Sequence, residues 1–299
     1  MGAPSWGVGQ VDTIDEALDL ERVEPAAYRA VSLRDVGEGA VVFGGQIAAQ
    51  MVMAGSGTVP DKVPRQVHVQ FVRAVSRRAP FGLDVEVLQD GRTFASAAVS
   101  AVQDGRLMAR GTVMLDAPDD EVIRHVAPIP DVDPPESCPT YDGYRTGDAP
   151  DVVAGRHQRV VADFHPGDPD VSRPARLHLW ARASTLGPDP ARSAAFVALA
   201  SAGPNITVSM LPHVGAGTDL AHDTISTGIL SHTVTFVQEC DAHEWLLFEH
   251  EVPAAGGGRI AARGSVFSPG RGLVAVFCQS AMVRHPRPPA SGSATQAVL

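Results

Sequence analysis

The fold is decided by a stretch near the N-terminus, which reads Phe43-Gly44-Gly45-Gln46-Ile47-Ala48-Ala49-Gln50-Met51-Val52-Met53-Ala54-Gly55-Ser56-Gly57. An apolar run that begins after one glycine pair and stops at Gly55-Ser56-Gly57 is typical of a single helix with a glycine end. A helix that is apolar on all sides has no face for water, so we expect it to be buried. The segments that follow must therefore cover it.

Four segments with strand character come after this helix. Residues 67–72 and 81–87 alternate apolar and polar side chains, as strands with one buried face do. Residues 93–102 and 107–115 flank Gln103-Asp104-Gly105-Arg106, whose Asp-Gly pair is a hairpin signal. These segments predict an antiparallel meander.

The second part of the chain repeats this order of helix and strands. Asp189-Pro190 is an N-cap and first-turn signature for a helix over residues 191–201, and strands are expected at 225–237, 245–252, 259–268 and 273–283. The late hairpins also share a pattern, Met108-Ala109-Arg110-Gly111 in the first part and Ala262-Arg263-Gly264 in the second. This repetition indicates an internal duplication.

The repeated pattern predicts an α+β fold of two modules. A long apolar helix can bury all its sides only if an antiparallel sheet wraps it, and two such modules can pair their sheets edge to edge. The predicted fold is therefore a double hotdog. We place an N-terminal module at residues 12–115, an Asp/Pro-rich linker at 116–175, a C-terminal module at 176–285 and a mobile tail at 286–299.

Composition excludes several classes of function. The 299 residues carry a net charge of −10, which argues against nucleic acid as a partner. No apolar run approaches ~18 residues and no signal-peptide pattern is present, so we expect a cytoplasmic protein without membrane insertion. The three cysteines form no CxxC pair and the histidines show no metal-ligand spacing, so we expect neither a metal nor a cofactor. We expect a homo-oligomer, since hotdog sheets commonly associate further.

Several motifs occur in an order and spacing that are specific in combination. They are Val42-Phe43-Gly44-Gly45-Gln46, Val67-His68-Val69-Gln70-Phe71-Val72-Arg73, Val85-Glu86-Val87-Leu88-Gln89-Asp90-Gly91-Arg92-Thr93-Phe94, Leu179-Trp180-Ala181-Arg182, Glu244-Trp245-Leu246-Leu247 and the segment from Gln279 to Arg284. In these motifs, over most of its length, the chain resembles the acyl-CoA thioesterase II family of bacteria and its peroxisomal relatives. The resemblance implies hydrolysis of fatty acyl-CoA to free acid and CoA, with a water held by an Asp, a Thr and a Gln of the second module.

Only one of these three implied groups is present. The Gln falls on Gln279, but the position implied for the Asp holds Ala202 and the position implied for the Thr holds Ile229. A general base typically contributes ~10²–10⁴ in rate, so Ala202 is not a neutral replacement. Either another group substitutes for the carboxylate or the protein is a slow or differently tuned thioesterase.

Four polar residues near the implied positions are candidates to hold the water together with Gln279. Simple alternation along the strand places Thr227 and Ser231 on the same face as Ile229. Asn205 and Thr207 follow the second helix. All four can form hydrogen bonds to a water, but none is basic near neutral pH. His232 lies among apolar residues and is expected to be a hydrogen-bonded core histidine.

The first module supplies the substrate-binding candidates Gly44, Gly45, Gln46 and His68. The first-turn N–H groups of a helix have no internal partner, so the Gly-Gly-Gln turn could polarise a thioester carbonyl or bind a CoA phosphate. The alternative is that the glycines allow close packing of the buried helix. His68 either lines a cleft or lies on a solvated outer face of the sheet.

Two functions therefore remain open. One is a hydrolase that acts on acyl-CoA, and the other is a non-catalytic protein that binds or senses acyl-CoA. The sequence does not determine the length or branching of the acyl chain, and it leaves open whether the carrier is CoA or a protein-bound pantetheine.

Overall fold

In the described residues, a 12-stranded antiparallel sheet and two long helices form most of the fold. The computed structural model describes residues 10–34, 41–141, 155–162, 166, 168–170, 172–217, 220 and 224–286. The first half of the sheet contains β2 (Glu21–Glu24), β3 (Ala27–Ala30), β5 (Val63–Phe71), β6 (Phe81–Asp90), β7 (Phe94–Gln103) and β8 (Arg106–Asp116). The second half contains β9 (Arg156–Val160), β10 (Arg176–Ala183), β11 (Ser226–Phe236), β12 (Leu246–Gly256), β13 (Arg259–Ser268) and β14 (Gly272–Arg284). Two short strands, β1 (Gln10–Val11) and β4 (Ser32–Leu33), pair in parallel outside this sheet.

The strand order is the same on both sides of a central seam. Outward from the seam it runs β5-β8-β7-β6-β3-β2 in one half and β11-β14-β13-β12-β10-β9 in the other. At the seam, β5 and β11 pair in antiparallel fashion, with Val69 opposite His232 and Val67 opposite Val234. The side chains of Gln66 and Thr235 add a hydrogen bond of 3.0 Å across it.

Each half places one long helix on the inner face of the sheet. Helix α2 (Gly44–Thr58) packs on β5 to β8, and α3 (Pro190–Ala202) packs on α2, β5, β11 and β14. Their apolar side chains are buried on all sides, which is the arrangement that the apolar runs predict. Two shorter helices, α1 (Ile14–Leu18) and α4 (Asn205–Met210), were not expected from the sequence.

Local signals in the sequence appear in the structure as predicted. Asp189 caps α3, since its side chain accepts a hydrogen bond of 3.0 Å from the Arg192 N–H. The turn between β7 and β8 has positive φ at both Asp104 and Gly105, which is the requirement of a type I′ hairpin turn. The long strands lie where the alternation of side chains places them.

Helix α2 ends at Thr58, directly after the predicted stop at Gly55-Ser56-Gly57. A Cβ atom at Gly55 would lie 3.0 Å from the Cβ of Val113 on β8. The glycine therefore allows the helix to approach the sheet rather than ending it.

The Asp/Pro-rich connector is attached to the outer face of the second half. Trp180 of β10 donates a hydrogen bond of 2.9 Å to the Asp133 carbonyl, and a short 3₁₀ turn, Pro135–Ser137, follows. Cys138 packs there with Trp180, Leu247 and Phe267. Strand β9 lies within the predicted linker of residues 116–175, yet it pairs with β10, so the second sheet begins earlier than expected. The predicted tail lies almost wholly outside the described residues.

One stretch, Pro190–Met210, is long and apolar enough to cross a membrane, but it is buried inside the protein as a core helix would be. Among the described residues, no cluster of histidine, cysteine or acidic side chains is arranged to hold a metal ion.

Candidate functional site

Gln279 and His232 lie side by side beneath the C-terminal end of α3. They lie opposite each other in the β11–β14 pair. Across the sheet, Val69 on β5 lies opposite His232, and Ala262 on β13 lies opposite Gln279. The side chains of Gln279 and His232 point to the inner face of the sheet and are almost fully buried. The two halves of the sheet thus meet next to this pair.

The contacts of His232 with α3 favour a proton on one of its two ring nitrogens, Nε2. Its Nε2 lies 3.1 Å from the Ser201 Oγ, and that hydroxyl donates its one proton to the Ala198 carbonyl at 3.4 Å. A hydroxyl that donates to Ala198 accepts from His232, and in that tautomer Nε2 carries the proton and Nδ1 has a free lone pair. Within the described structure, Nδ1 makes no hydrogen bond.

Burial keeps His232 neutral. Desolvation lowers the pKa of His232 to about 4, while the Ala198 carbonyl and the neighbouring Gln279 amide oppose this effect. The positive charge that His68 would carry is a smaller cause in the same direction as burial. The ring is therefore unprotonated at neutral pH.

A second buried histidine, His250 of β12, lies close by. Its Nδ1 donates to the Asn205 Oδ1 at 2.9 Å, and the Asn205 amide donates to the Ser201 carbonyl at 2.9 Å. Burial lowers the pKa of His250 to about 3, with the charges of His178 and His232 as smaller causes. The Phe277 ring lies beside both imidazoles, with centroid distances of 6.2 Å to His232 and 5.1 Å to His250.

The Gln279 amide is buried without a regular hydrogen bond. By hydrogen-bond geometry neither its Oε1 nor its Nε2 has a partner among the described residues, although the amide is close enough to His232 to raise the pKa of that ring. The Thr207 hydroxyl is also unpartnered there. Buried polar groups in proteins are nearly always hydrogen-bonded, so an amide in this state is suited to bind a polar ligand. Gln279 thus has the properties of a site residue.

The positions implied for the absent Asp and Thr lie against the start of α2. A Cβ atom at Gly45 would lie 2.9 Å from the Ala202 Cβ and 2.7 Å from the Leu199 carbonyl oxygen. A Cβ atom at Gly44 would lie 3.2 Å from Ile229 Cδ1. Close packing therefore accounts for both glycines, and it places Ala202 and Ile229 at the same helix end.

Two of the proposed substrate-binding side chains are occupied elsewhere. Gln46 accepts from the Leu33 N–H at 3.1 Å and donates to the Val31 carbonyl at 2.8 Å, so it fixes the chain before α2. His68 lies on the outer face of the sheet, with its Nδ1 2.7 Å from the Thr233 Oγ1. The structure does not bring His68 to Gln279.

The predicted placement of Ser231 is also wrong. The register of β11 shifts between Ile229 and Ser231, so Ile229 lies opposite the buried Ala281 whereas Ser231 lies opposite Ser280. The extra residue reverses the faces of the strand, and Ser231 turns outward. Thr227 precedes the shift and shares the inner face with Ile229, as predicted.

Sequence reasoning treated His232 as a hydrogen-bonded core histidine, which it is, but it missed the pairing with Gln279. His250 was missed altogether. Its position among alternating residues of a predicted strand was visible in the sequence, but its contact with Asn205 depends on α4, which carried no recognised signal.

Solved structures of other proteins share this fold. A hot dog fold protein of unknown function from Alicyclobacillus acidocaldarius is 21% identical, with a TM-score of 0.71 over 92% of this chain and 98% of its own. The acyl-CoA thioesterase II TesB2 of Mycobacterium marinum is 27% identical, with a TM-score of 0.73 over 92% of this chain and 99% of its own. The chain thus has a hotdog fold.

Sequence comparisons agree with the structural ones. Acyl-CoA thioesterase 2 of Haemophilus influenzae is 24% identical over 89% of this chain and 95% of its own length. Human acyl-coenzyme A thioesterase 8 is 28% identical over 84% of this chain and 83% of its own. The family models for the N-terminal and C-terminal domains of acyl-CoA thioesterase match residues 33–115 and 135–283. The chain therefore belongs to the acyl-CoA thioesterase family and is a thioester hydrolase.

Proposed function

We propose that the protein hydrolyses fatty acyl-CoA to free fatty acid and CoA in lipid metabolism, at a site centred on Gln279. Membership of the family supports the reaction class. The observation that carries the site is the Gln279 amide, which is buried and has no regular hydrogen bond among the described residues. Its N–H group can hold the attacking water or polarise the thioester carbonyl.

We further propose that the chain consists of two tandem hotdog modules, a double hotdog, with the site in the second. The mirrored strand order around the β5–β11 seam supports the duplication. We expect a cytoplasmic homo-oligomer, and light scattering on the purified protein would measure its mass.

The reaction is expected to be slow. Ala202 and Ile229 carry no group that can hold or deprotonate water, and both pack against the start of α2. Thr227 and Thr207 are buried on the side of the core helices and can each add one hydrogen bond. Asn205 already bonds Ser201 and His250, so it stabilises the site rather than meeting the water.

The test is the release of CoA from a series of acyl-CoA chain lengths. We expect Gln279→Ala to lower kcat by about 10²-fold or more, the order found for loss of one transition-state donor. Gln66→Ala is the matched control, because Gln66 lies on the seam and bonds Thr235 on the outer face. Full activity in Gln279→Ala would contradict the proposed site. Comparing acyl-CoA with a protein-bound acyl-pantetheine would identify the carrier.

The alternative function is a non-catalytic acyl-CoA binding or sensing protein. The apolar side chains of Ala202 and Ile229 favour it, since they leave no carboxylate at the position that the family resemblance implies. In that case the unaltered protein would bind acyl-CoA tightly without releasing CoA. Ala202→Asp combined with Ile229→Thr would then be expected to introduce turnover.

A further inference from the structure

The cluster at the end of α3 contains a base that the proposed site has not yet used. We propose that His232 is the general base of the thioester hydrolysis, with its Nδ1 removing a proton from the water that Gln279 holds. This inference rests on the proposed function, and it assigns to His232 the role of the carboxylate that is absent at Ala202.

The geometry presents the correct nitrogen. When the Ser201 hydroxyl donates to the Ala198 carbonyl, it accepts the Nε2 proton of His232, and this contact fixes the orientation of the ring. The lone pair of Nδ1 is left without a partner among the described residues. A base held in one tautomer by a second group, which is in turn oriented by a third, is the arrangement that activates water or a nucleophile in many hydrolases.

The position of His232 in the fold also fits the role of a base. Gln279 is the register partner of His232, and its side chain opposes the effect of burial on the His232 pKa, so the amide lies beside the ring. Ser201, which bonds the ring, directly precedes Ala202 in α3. The imidazole therefore contacts the residue that directly precedes the position implied for the absent carboxylate.

The basicity of the buried ring matches that of the carboxylate it would replace. Burial lowers the pKa of His232 to about 4, and an ordinary aspartate has a pKa of ≈ 3.9. Near pH 7 both are unprotonated, so both can accept a proton from water. The titratable groups that act on His232 are His68 on β5 and His250 on β12, and neither is acidic.

The proposed hydrolysis consists of an attack by water followed by departure of the CoA thiol. The water oxygen bonds to the thioester carbonyl carbon while its proton passes to Nδ1, and the C–S bond then breaks. The imidazolium returns the proton to the departing sulfur, which leaves as the CoA thiol, and the acid is the second product. No oxidant, metal or further reactant is required.

The test compares substitutions that keep the hydrogen bonds of each histidine. His232→Gln retains an amide donor at the place of Nε2 but has no basic nitrogen, and we expect kcat to fall by about 10²–10⁴-fold. The dissociation constant for a non-hydrolysable S-alkyl-CoA should stay unchanged. His243→Gln makes the same change at an exposed histidine and should leave kcat unchanged. Adding Ala202→Asp to His232→Gln should restore part of kcat.

The results for the unaltered protein and for His232→Gln distinguish a failure of the His232 assignment from a failure of the proposed function. If the unaltered protein releases CoA and folded His232→Gln does so equally fast, His232 is not the base, although the proposed function stands. A loss of S-alkyl-CoA binding in place of a loss of kcat would overturn the assignment in the same way. Absence of turnover in the unaltered protein would overturn the proposed function and this inference with it.

A measurement on the unaltered protein covers the case in which His232→Gln does not fold. Nitrogen-15 NMR of labelled histidine should show His232 as the neutral tautomer with the proton on Nε2. A proton on Nδ1 would remove the lone pair from the site and overturn the proposal.

Discussion

The two buried histidines make the protein sensitive to mild acid. His232 and His250 have pKa values near 4 and near 3 in the folded protein, whereas a histidine in the unfolded chain titrates near 6.5. As the pH falls below the unfolded value, the unfolded state binds protons first. The stability that the neutral rings contribute is therefore fully present above about pH 6.5 and is lost as the pH falls toward the folded values.

The expected loss is large compared with the stability of a typical protein. Between about pH 6.5 and pH 4.5 each histidine costs roughly 2.5 kcal/mol, at 1.36 kcal/mol for each pKa unit. Both rings are fully buried, so no discount for solvent screening applies. The sum of about 5 kcal/mol equals the lower end of the usual range of unfolding free energies, ≈ 5–15 kcal/mol.

Urea denaturation at the two pH values measures this loss. The double variant His232→Gln with His250→Asn keeps a donor for Ser201 and for Asn205 but cannot be protonated. We expect its unfolding free energy to fall by about 5 kcal/mol less than that of the unaltered protein. Gln66→Ala, which removes a polar side chain at the seam but no titratable group, should show the same pH dependence as the unaltered protein. Parallel pH curves for the double variant and the unaltered protein would refute the reasoning.

Three further substitutions test contacts that hold the fold together. Gly45→Ala should lower the unfolding free energy by about 1–3 kcal/mol in a urea titration, because the added Cβ has no space against α3. Gly187→Ala is the control and should change the unfolding free energy little, because a Cβ at Gly187 would meet no atom within 4 Å. Gln103→Ala should cost about 1–3 kcal/mol in a thermal melt, because its amide makes four hydrogen bonds to the loop at residues 76–80; an unchanged melting temperature would contradict this. Trp180→Phe should cost about 1 kcal/mol and speed proteolysis of the connector, since it removes the bond to the Asp133 carbonyl; an unchanged cleavage rate would show that this bond does not hold the connector.

The sequence predicted those parts of the fold that local patterns control. Alternation located the long strands, Asp189 located the start of α3, and Asp104-Gly105 located a hairpin. These features depend on residues that are neighbours in the chain. For this reason one sequence was sufficient to predict them.

Features that depend on the partner strand or helix were missed. The register shift after Ile229 is a property of the β11–β14 pair, so alternation alone placed Ser231 on the wrong face. Gly55 was interpreted only as part of a helix stop, because its close approach to Val113 is visible only in the folded protein. The His232 and Gln279 pair likewise requires two strands that are more than 40 residues apart in sequence to lie in one register.

The β5–β11 seam bears on how many ligands one chain binds. Two identical modules that met at such an edge would form each contact twice by symmetry and would separate on dilution. Here the two edges belong to one chain, so their encounter is intramolecular and does not depend on protein concentration. The two sides of the seam can also carry different residues, so the pairing of His232 with Val69 occurs once and has no symmetric copy. A calorimetric titration with S-alkyl-CoA should therefore saturate at one ligand for each chain rather than one for each half of the sheet.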